Sequence, residues 1–396
     1  MPFQGKRILL GVGGGIAVYR AVELMRLLMK QGAEVQVVMT KSATEFVTPL
    51  TFEALSGNKV HMDLFDLTEQ HGMGHIQLVR WADAVVLAPA TSNLLAKMTH
   101  GIADDLLTTL ILANEKPVLI APAMNVSMWL EDATQRNISD LRERGYTVIE
   151  PVAGELACGE QGAGRLAKPE SIVQALLPLL TEQTLAGQYW VINAGPTVEA
   201  WDAVRTMSNR ASGSLGALLA DAAAVQGAKV CLIAGKGAPR TRQGVQRVEV
   251  ESAAQMLDAC LLAAQGADVF VGTAAVSDFR FANPLQKKLK RQGSGRIQVE
   301  LIENPDIIQA VANMDKRPHQ VIAFAAESEN HIQFAKDKLS RKGVDAIVAN
   351  DISNMGANHA SGHYITAKHV TKLETQDKAN FVVGLIQHIT NSYSES

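Results

Sequence analysis

The chain has 396 residues, 47% hydrophobic and 19% charged, with a formal net charge of -3. That length and apolar content suit two or three domains with buried cores, and the charge excludes a bulk footprint for DNA or RNA, leaving small molecules or protein as partners. No run of eighteen apolar residues occurs, and the stretch after Met1-Pro-Phe-Gln-Gly-Lys-Arg7 breaks at Gly11, so a cytoplasmic protein with no membrane association is expected.

In chain order, apolar runs at Arg7 to Val12, Glu34 to Met39, Ala84 to Ala88, Pro117 to Ala121 and Thr147 to Glu150 alternate with helical patterns. This alternation is the signature of a doubly wound parallel α/β sheet. The first run ends in Gly11-Val-Gly-Gly-Gly-Ile16-Ala17, which brings backbone N–H groups to a helix start and suits a phosphate. Ile16 occupies the sixth position of G-x-G-x-x-G, so the dinucleotide signal is weak. A mononucleotide such as FMN needs only one such cradle. His75 follows Gly72-Met-Gly74 and opens Ile76-Gln-Leu78, where a helix start favours an imidazole that stays a neutral base. A capping or surface histidine is the alternative. The strand ending Ala88-Pro89 runs into Ala90-Thr-Ser-Asn93, whose hydroxyls and amide are either flavin ligands or a helix cap.

The next strand leads into Pro122-Ala-Met-Asn-Val-Ser-Met-Trp129, which sets the lone amide of Asn125 among Met124, Met128 and Trp129. Ligands of open α/β sheets bind at such strand ends, and a neutral donor in an apolar cradle suits a small carboxylate or amide. Asn125 as a helix N-cap, with Met128 and Trp129 as core, is the competing reading. The chain contains Cys158, Cys231 and Cys260, too few for a disulfide framework. Cys231 and Cys260 lie in apolar strand and helix patterns and read as inert core. Cys158, in Ala157-Cys-Gly-Glu-Gln-Gly-Ala-Gly-Arg165, is either a reactive thiol on a glycine-rich loop or an ordinary surface cysteine.

Pro169 to Leu185 reads as one helix with Pro169 in its first turn, and Gly187 marks a boundary. A second strand series follows at Tyr189 to Asn193, Lys229 to Ala234, Asp268 to Gly272, Gln320 to Phe324 and Asp345 to Ala349. The fold class expected is α/β with two Rossmann-like doubly wound domains, residues 1–186 and 187–396, the first flavodoxin-like. The stretch Ser277 to Gly295 reads as irregular and carries Lys287-Lys-Leu-Lys-Arg291, a solvated face or a phosphate-binding flap. No P-loop sequence occurs.

Taken together, Gly14-Gly-Ile-Ala17, His75-Ile-Gln-Leu78, Pro89-Ala-Thr-Ser-Asn93, Pro122 to Trp129 and Ala157 to Arg165 resemble the phosphopantothenoylcysteine decarboxylase family of FMN proteins across the first half. The resemblance implies that His75 is the catalytic base, Asn125 binds the substrate carboxylate and Cys158 supplies a late proton. It implies that Gly14, Gly15, Thr40, Thr91, Ser92 and Asn93 bind FMN and that Met124, Met128 and Arg165 contact substrate. In such chemistry the flavin oxidises the thiol to a thioaldehyde, which gives the electrons left by CO2 a route to sulfur, and then returns them. The family usually has Thr where this chain has Gly13, and Ser-Ala where it has Thr91-Ser92.

Asp202, Arg205, Ser208-Asn-Arg-Ala-Ser-Gly213, Ala274-Ala-Val-Ser-Asp278, Asn304-Pro-Asp-Ile307, Phe324-Ala-Ala-Glu327 and Ala349-Asn-Asp351 are singly turns or caps. In concert they resemble the CTP-using phosphopantothenate-cysteine ligase family. The resemblance implies that Lys288 is needed to form an acyl-cytidylate and Asn209 for its conversion to amide. It implies nucleotide or substrate contacts from Asp278, Asn304, Pro305, Asp306, Ile307, Phe324, Lys338 and Lys342, with Asp278 linked to Mg2+. The family reads Ser-Ser-Gly-Lys where this chain has Ala211-Ser-Gly-Ser214, and its Lys-x-Lys-Lys ends here in Arg291. Fusion of the two halves implies a bifunctional coenzyme A biosynthesis enzyme acting on 4'-phosphopantothenate, cysteine and CTP. It also implies a homo-oligomer, with N-terminal trimers assembling to a dodecamer and C-terminal dimers. A flavin enzyme acting on a peptide's C-terminal cysteine, a flavin prenyltransferase and a non-catalytic flavoprotein regulator are the rivals. The ligase-like half argues against the first two, and retention of His75, Asn125 and Cys158 against the third.

Overall fold

The computed structural model describes residues 1–64, 75–155, 161–242, 244–290, 297–327, 331–351 and 357–394. The chain divides into two units, Met1–Glu182 and Gln183–Ser396. The first contains strands β1 (Arg7–Val12), β2 (Glu34–Met39), β3 (Val60–His61), β4 (Ala84–Ala90), β5 (Val118–Pro122), β6 (Thr147–Val148), β7 (Val152–Glu155) and β8 (Gln161–Arg165). Its helices are α1 (Val18–Lys30), α2 (Pro49–Ser56), α3 (His75–Trp81), α4 (Ser92–His100), α5 (Leu106–Leu112), α6 (Val126–Leu130), α7 (Asp132–Glu143) and α8 (Pro169–Leu176).

Strands β1 to β6 form one parallel sheet in the order β3-β2-β1-β4-β5-β6. This is the Rossmann order, and without the two-residue edge strand β3 it becomes the flavodoxin-like order. Both faces are covered, which is why β4 is buried at every position. Ile8, Leu10 and Val12 join one core with α1 and α8, while Leu9, Val85 and Leu87 join another with α4, α5 and α7. In α1 the buried Val18, Ala21, Leu24, Met25 and Leu28 recur at three- and four-residue spacing, the apolar stripe of a helix lying on a sheet.

The helix expected from Pro169 to Leu185 is shorter. Its α-helical part ends at Leu176 and a 3-10 turn spans Leu177–Leu180, because Pro178 lacks an N–H and its ring crowds the preceding turn. The strand expected from Thr147 to Glu150 pairs only over Thr147–Val148. The antiparallel β7–β8 pair carries Gly154, Gly162 and Gly164, which dilute the alternation by which a strand is read.

The second unit contains β9 (Tyr189–Ala194), β10 (Val198–Ala200), β11 (Thr206–Ser208), β12 (Lys229–Ala234), β13 (Gln246–Glu249), β14 (Val269–Gly272), β15 (Phe279–Phe281), β16 (Leu301–Glu303), β17 (Gln320–Glu327), β18 (Ala346–Asp351), β19 (His359–Thr366) and β20 (Val370–Asp377). Its helices are α9 (Ser214–Val225), α10 (Ala253–Ala263), α11 (Ile307–Ala312), α12 (His331–Lys342) and α13 (Lys378–Ser394). The main sheet runs β13-β12-β9-β14-β17-β18-β19-β20. Its first six strands are parallel and repeat the Rossmann order, while β19 and β20 close the edge antiparallel.

Part of the stretch expected to be irregular is ordered as β15, which pairs antiparallel with β16. A three-residue ladder with the half-exposed Phe279 offers no alternation long enough to detect. Helix α13 lies on α9, with Phe381, Val382, Leu385, Ile386 and Ile389 packed in one cluster with Leu219, Ala220 and Ala223. Among the described residues no helix is long and apolar enough to cross a membrane.

Candidate active sites

In each unit the strand order reverses between two central strands, and the crevice beyond their carboxyl ends is where open α/β sheets bind ligands. In the first unit that point lies between β1 and β4. The Gly13 N–H donates to the Pro89 carbonyl at 3.0 Å, joining the two loops. A side chain at Gly13 would place its Cβ 2.7 Å from that same oxygen, so this arrangement has no room for a residue other than glycine. Gly14 is held closer still, its ideal Cβ position lying 2.3 Å from the Ser42 Cβ. Thr40, at the end of β2, donates its N–H to the Val12 carbonyl at 3.1 Å. Helix α1 starts beyond these glycines with Ala17 as N-cap and no side-chain acceptor on its first-turn N–H groups. A helix start of this kind, bordered by glycine backbone, fits a phosphate.

The β4 end faces the same crevice. Thr91 caps α4, its Oγ1 accepting the Leu94 N–H at 3.2 Å, and the Ser92 hydroxyl meets Thr134 Oγ1 at 3.3 Å. Asn93 is exposed. The turn carrying Asn125 is tethered on two sides. Ala123 N–H donates to the Ala90 carbonyl and Met124 N–H to the Gly164 carbonyl, both at 3.0 Å. The second bond links Asn125 to β8 and the exposed Arg165, while Gly162 lets α6 approach, since a Cβ there would lie 2.9 Å from Val126 Cγ1. Asn125 is the N-cap of α6, with Oδ1 accepting the Ser127 N–H at 2.7 Å. That bond turns the amide's donor end, Nδ2, away from the helix. Trp129 is core, whereas Met128 is 48% exposed. His75 is the first residue of α3, but its side chain and Cys158 lie outside the described residues.

In the second unit the corresponding crevice opens between β9 and β14. Asn193, 1% exposed, accepts the N–H groups of Thr273 and Ala274 on Oδ1, each at 2.9 Å, fixing the loop after β14. Gly213 has φ +69 and comes so near Gly195 that a Cβ would lie 2.8 Å from its Cα, which seats the start of α9 on the end of β9. Between these parts lies a cavity of about 220 Å³ lined by residues that include Arg210, Ser214, Ala275, Phe324 and Lys378. Asn209 sits beside it, its Nδ2 donating to the carbonyls of Ala275 and Val276 at 3.2 and 3.1 Å.

Lys288 is not in the lining but on a neighbouring loop with a specific anchor. Asp202 accepts the N–H groups of Val204 and Arg205 at 2.8 Å and of Leu289 at 3.1 Å, and Arg205 Nη1 lies 3.2 Å from its other oxygen. Burial alone would raise the Asp202 pKa, but these N–H bonds and the guanidinium together hold it below the usual carboxylate range. Arg205 also stacks 5.0 Å above Trp201, and the Leu285 N–H donates to the Trp201 carbonyl at 2.9 Å. The basic run is thus tied at Leu285 and Leu289, while Lys287, Lys288 and Lys290 are exposed.

Asp278 and Asn304 are adjacent through the Asn304 N–H bond to the Asp278 carbonyl at 2.8 Å, and Asn304 Nδ2 donates to the Ser277 carbonyl at 2.9 Å. Pro305 is half-buried and Ile307 is core. Asp306 caps α11 and pairs with Lys342 at 2.8 Å. Although its burial opposes ionisation, the Lys342 bond, the Gln309 N–H and the nearby Lys338 charge leave its pKa lowered. Lys338 and Lys342 therefore share one face, as their spacing implies. Among the described residues no three His, Cys, Asp or Glu side chains converge on a metal position. Asp278 alone suits an ion carried by nucleotide phosphates, because Mg2+ commonly takes one or two carboxylates and completes its shell with phosphate and water.

Sequence reasoning did not assign roles to Asn193, Arg210 and Lys378. Asn193 was visible only as a polar residue ending an apolar strand, and Lys378 reaches the crevice from the far end of the unit's sequence.

The chain matches the Flavoprotein family model over residues 2–181 and the model for the DNA/pantothenate metabolism flavoprotein C-terminal domain over residues 185–393. The Coenzyme A biosynthesis bifunctional protein CoaBC of Haemophilus influenzae is 42% identical over 400 residues, covering 100% of both chains. That of Bacillus subtilis is 44% identical over 89% of this chain and 88% of its own. A solved C-terminal domain of a protein of the same name is 31% identical and matches 54% of this chain and 100% of its own, with a TM-score of 0.47.

Proposed function

The chain belongs to the family of bifunctional coenzyme A biosynthesis proteins, which join a flavoprotein decarboxylase unit to a ligase unit, and we propose that its residues divide the work as follows. In the second unit a carboxylate oxygen of 4'-phosphopantothenate attacks the α-phosphorus of CTP and pyrophosphate leaves. The amine of cysteine then attacks the acyl carbon of the cytidylate and CMP leaves. Lys288 stabilises negative charge during the first step, and the Asp202 anchor limits where its loop can travel. Asn209 orients the acyl group for the second. Phe324 offers a flat apolar face for cytosine, and Asp278 meets Mg2+ arriving with the phosphates.

In the first unit FMN, seated by Gly14, Gly15, Thr40, Thr91, Ser92 and Asn93, supplies reversible two-electron chemistry at the substrate's cysteine end. Asn125 Nδ2 and Arg165 hold the carboxylate that departs as CO2. The apolar surroundings from Met124 and Met128 disfavour that charge and favour its loss as a neutral gas. His75 removes the first proton and Cys158 returns one to the product carbon. Trimers, a dodecamer and C-terminal dimers remain part of the proposal, and the exposed Ile16, Tyr19, Leu50 and Leu130 of the first unit are available for such contacts.

The observation that carries the reading is the double tether of the Asn125 turn to β4 and β8, which gathers residues expected to bind flavin and carboxylate into one crevice. Its test is His75→Asn, which should keep bound flavin and lose CO2 release from phosphopantothenoylcysteine. A variant that keeps full turnover overturns the assignment.

A further inference from the structure

Reading the second unit as a CTP-dependent ligase leaves one electrostatic feature without a purpose. Helix α9 begins at Ser214, and its N-cap Gly213 provides no side-chain acceptor. The structure brings a lysine there from elsewhere. Lys378 opens α13, and its Nζ donates to Ser214 Oγ at 3.3 Å across a sequence separation of 164 residues. Packing of α13 along α9 fixes this meeting.

A cation beside a helix N-terminus faces the positive end of the helix dipole, an unfavourable arrangement unless an anion joins them. The adjacent carboxylate does not do so. Asp377 Oδ1 instead accepts the N–H groups of Ala379 and Asn380, each at 3.1 Å, capping α13 itself. Among the described residues Lys378 forms no ion pair, and both it and Ser214 line the 220 Å³ cavity with Arg210 and Phe324. Two cations, a helix start and an aromatic side chain on one cavity match the parts of a nucleoside triphosphate. We propose that Lys378 binds a phosphate of the nucleotide, supplying from α13 a charge beside the start of α9.

This inference rests on the ligase reading, and binding without turnover separates the two. Calorimetric titration of the full chain with CTP and Mg2+, without phosphopantothenate, should show Lys378→Gln binding about 10- to 100-fold more weakly than the unaltered chain. Returning the charge by Ser214→Lys in the Lys378→Gln background should recover affinity to within about threefold, by the same affinity scale. That recovery also demonstrates an intact fold. Equal CTP affinity in Lys378→Gln and the unaltered chain overturns the proposal. So does a double variant as weak as the single one while its circular dichroism matches the unaltered chain. Failure of the unaltered chain to bind CTP overturns the ligase reading and the proposal with it.

Discussion

Asn193→Ala should loosen the ligase crevice at one backbone amide more than at its neighbour. The Asn193 side chain is buried and holds both Thr273 and Ala274 N–H groups on one oxygen. Thr273 N–H has a second acceptor in the Asn193 backbone carbonyl at 3.2 Å, which survives the substitution. Ala274 N–H depends on the side chain. Leaving a half-buried donor unpaired costs about 1–3 kcal/mol, and losing the shared bond at Thr273 adds about 0.5 kcal/mol. The unpaired donor, at about 1–3 kcal/mol, corresponds to an opening equilibrium about 5- to 150-fold larger at Ala274, and the lost shared bond to a change of about twofold at Thr273. Native-state hydrogen exchange resolved at single amides reads both directly. Equal protection of Ala274 in the two proteins, or a larger loss at Thr273, would refute the side chain's role as the clamp. Because Thr273 and Ala274 line the 220 Å³ cavity proposed to take the nucleotide, CTP should also bind more weakly to the variant.

Gly14→Ala should weaken flavin retention and cost about 1–3 kcal/mol of stability, because the added methyl meets Ser42 atoms beside the turn proposed to hold the flavin phosphate; an unchanged thermal midpoint and flavin content count against that proposal. Burial pushes the Cys260 thiol up to about 12 and raises that of Cys231 as well. Both should therefore resist alkylation at pH 8 in the native chain and react after unfolding, as followed by peptide mass spectrometry. The linkage has a definite sign: a raised folded pKa stabilises fully below the unfolded value near 8.5, and that stabilisation is lost as pH climbs toward about 12. Rapid labelling of native Cys260 at pH 8 contradicts its burial.

The sheets were legible because buried parallel strands are continuous apolar runs. Arg7–Val12, Glu34–Met39 and Lys229–Ala234 form at the bounds their composition implies. Strands that lack such a run escaped, among them the two-residue β3, the glycine-rich β7–β8 pair, the short β15–β16 ladder and the antiparallel edge pair β19–β20. Pro178 ends α8 within an apolar pattern that otherwise continues, showing how one missing N–H outweighs periodicity. The Asn125 turn could be read from sequence because its residues are contiguous. Its tethers to Ala90 and Gly164 could not, since they depend on tertiary contact. The same limit hid Lys378, whose relation to Ser214 exists only after α13 packs on α9.

One coupled experiment reaches the central claim that the two units perform consecutive reactions. The full chain, supplied with 4'-phosphopantothenate, cysteine, CTP and Mg2+, is assayed for pyrophosphate and CO2 in separate channels. Pyrophosphate should appear first and require CTP, followed after a lag by CO2 in an amount approaching that of pyrophosphate. Release of CO2 without CTP, or steady pyrophosphate release with no CO2 from flavin-loaded protein, would contradict it.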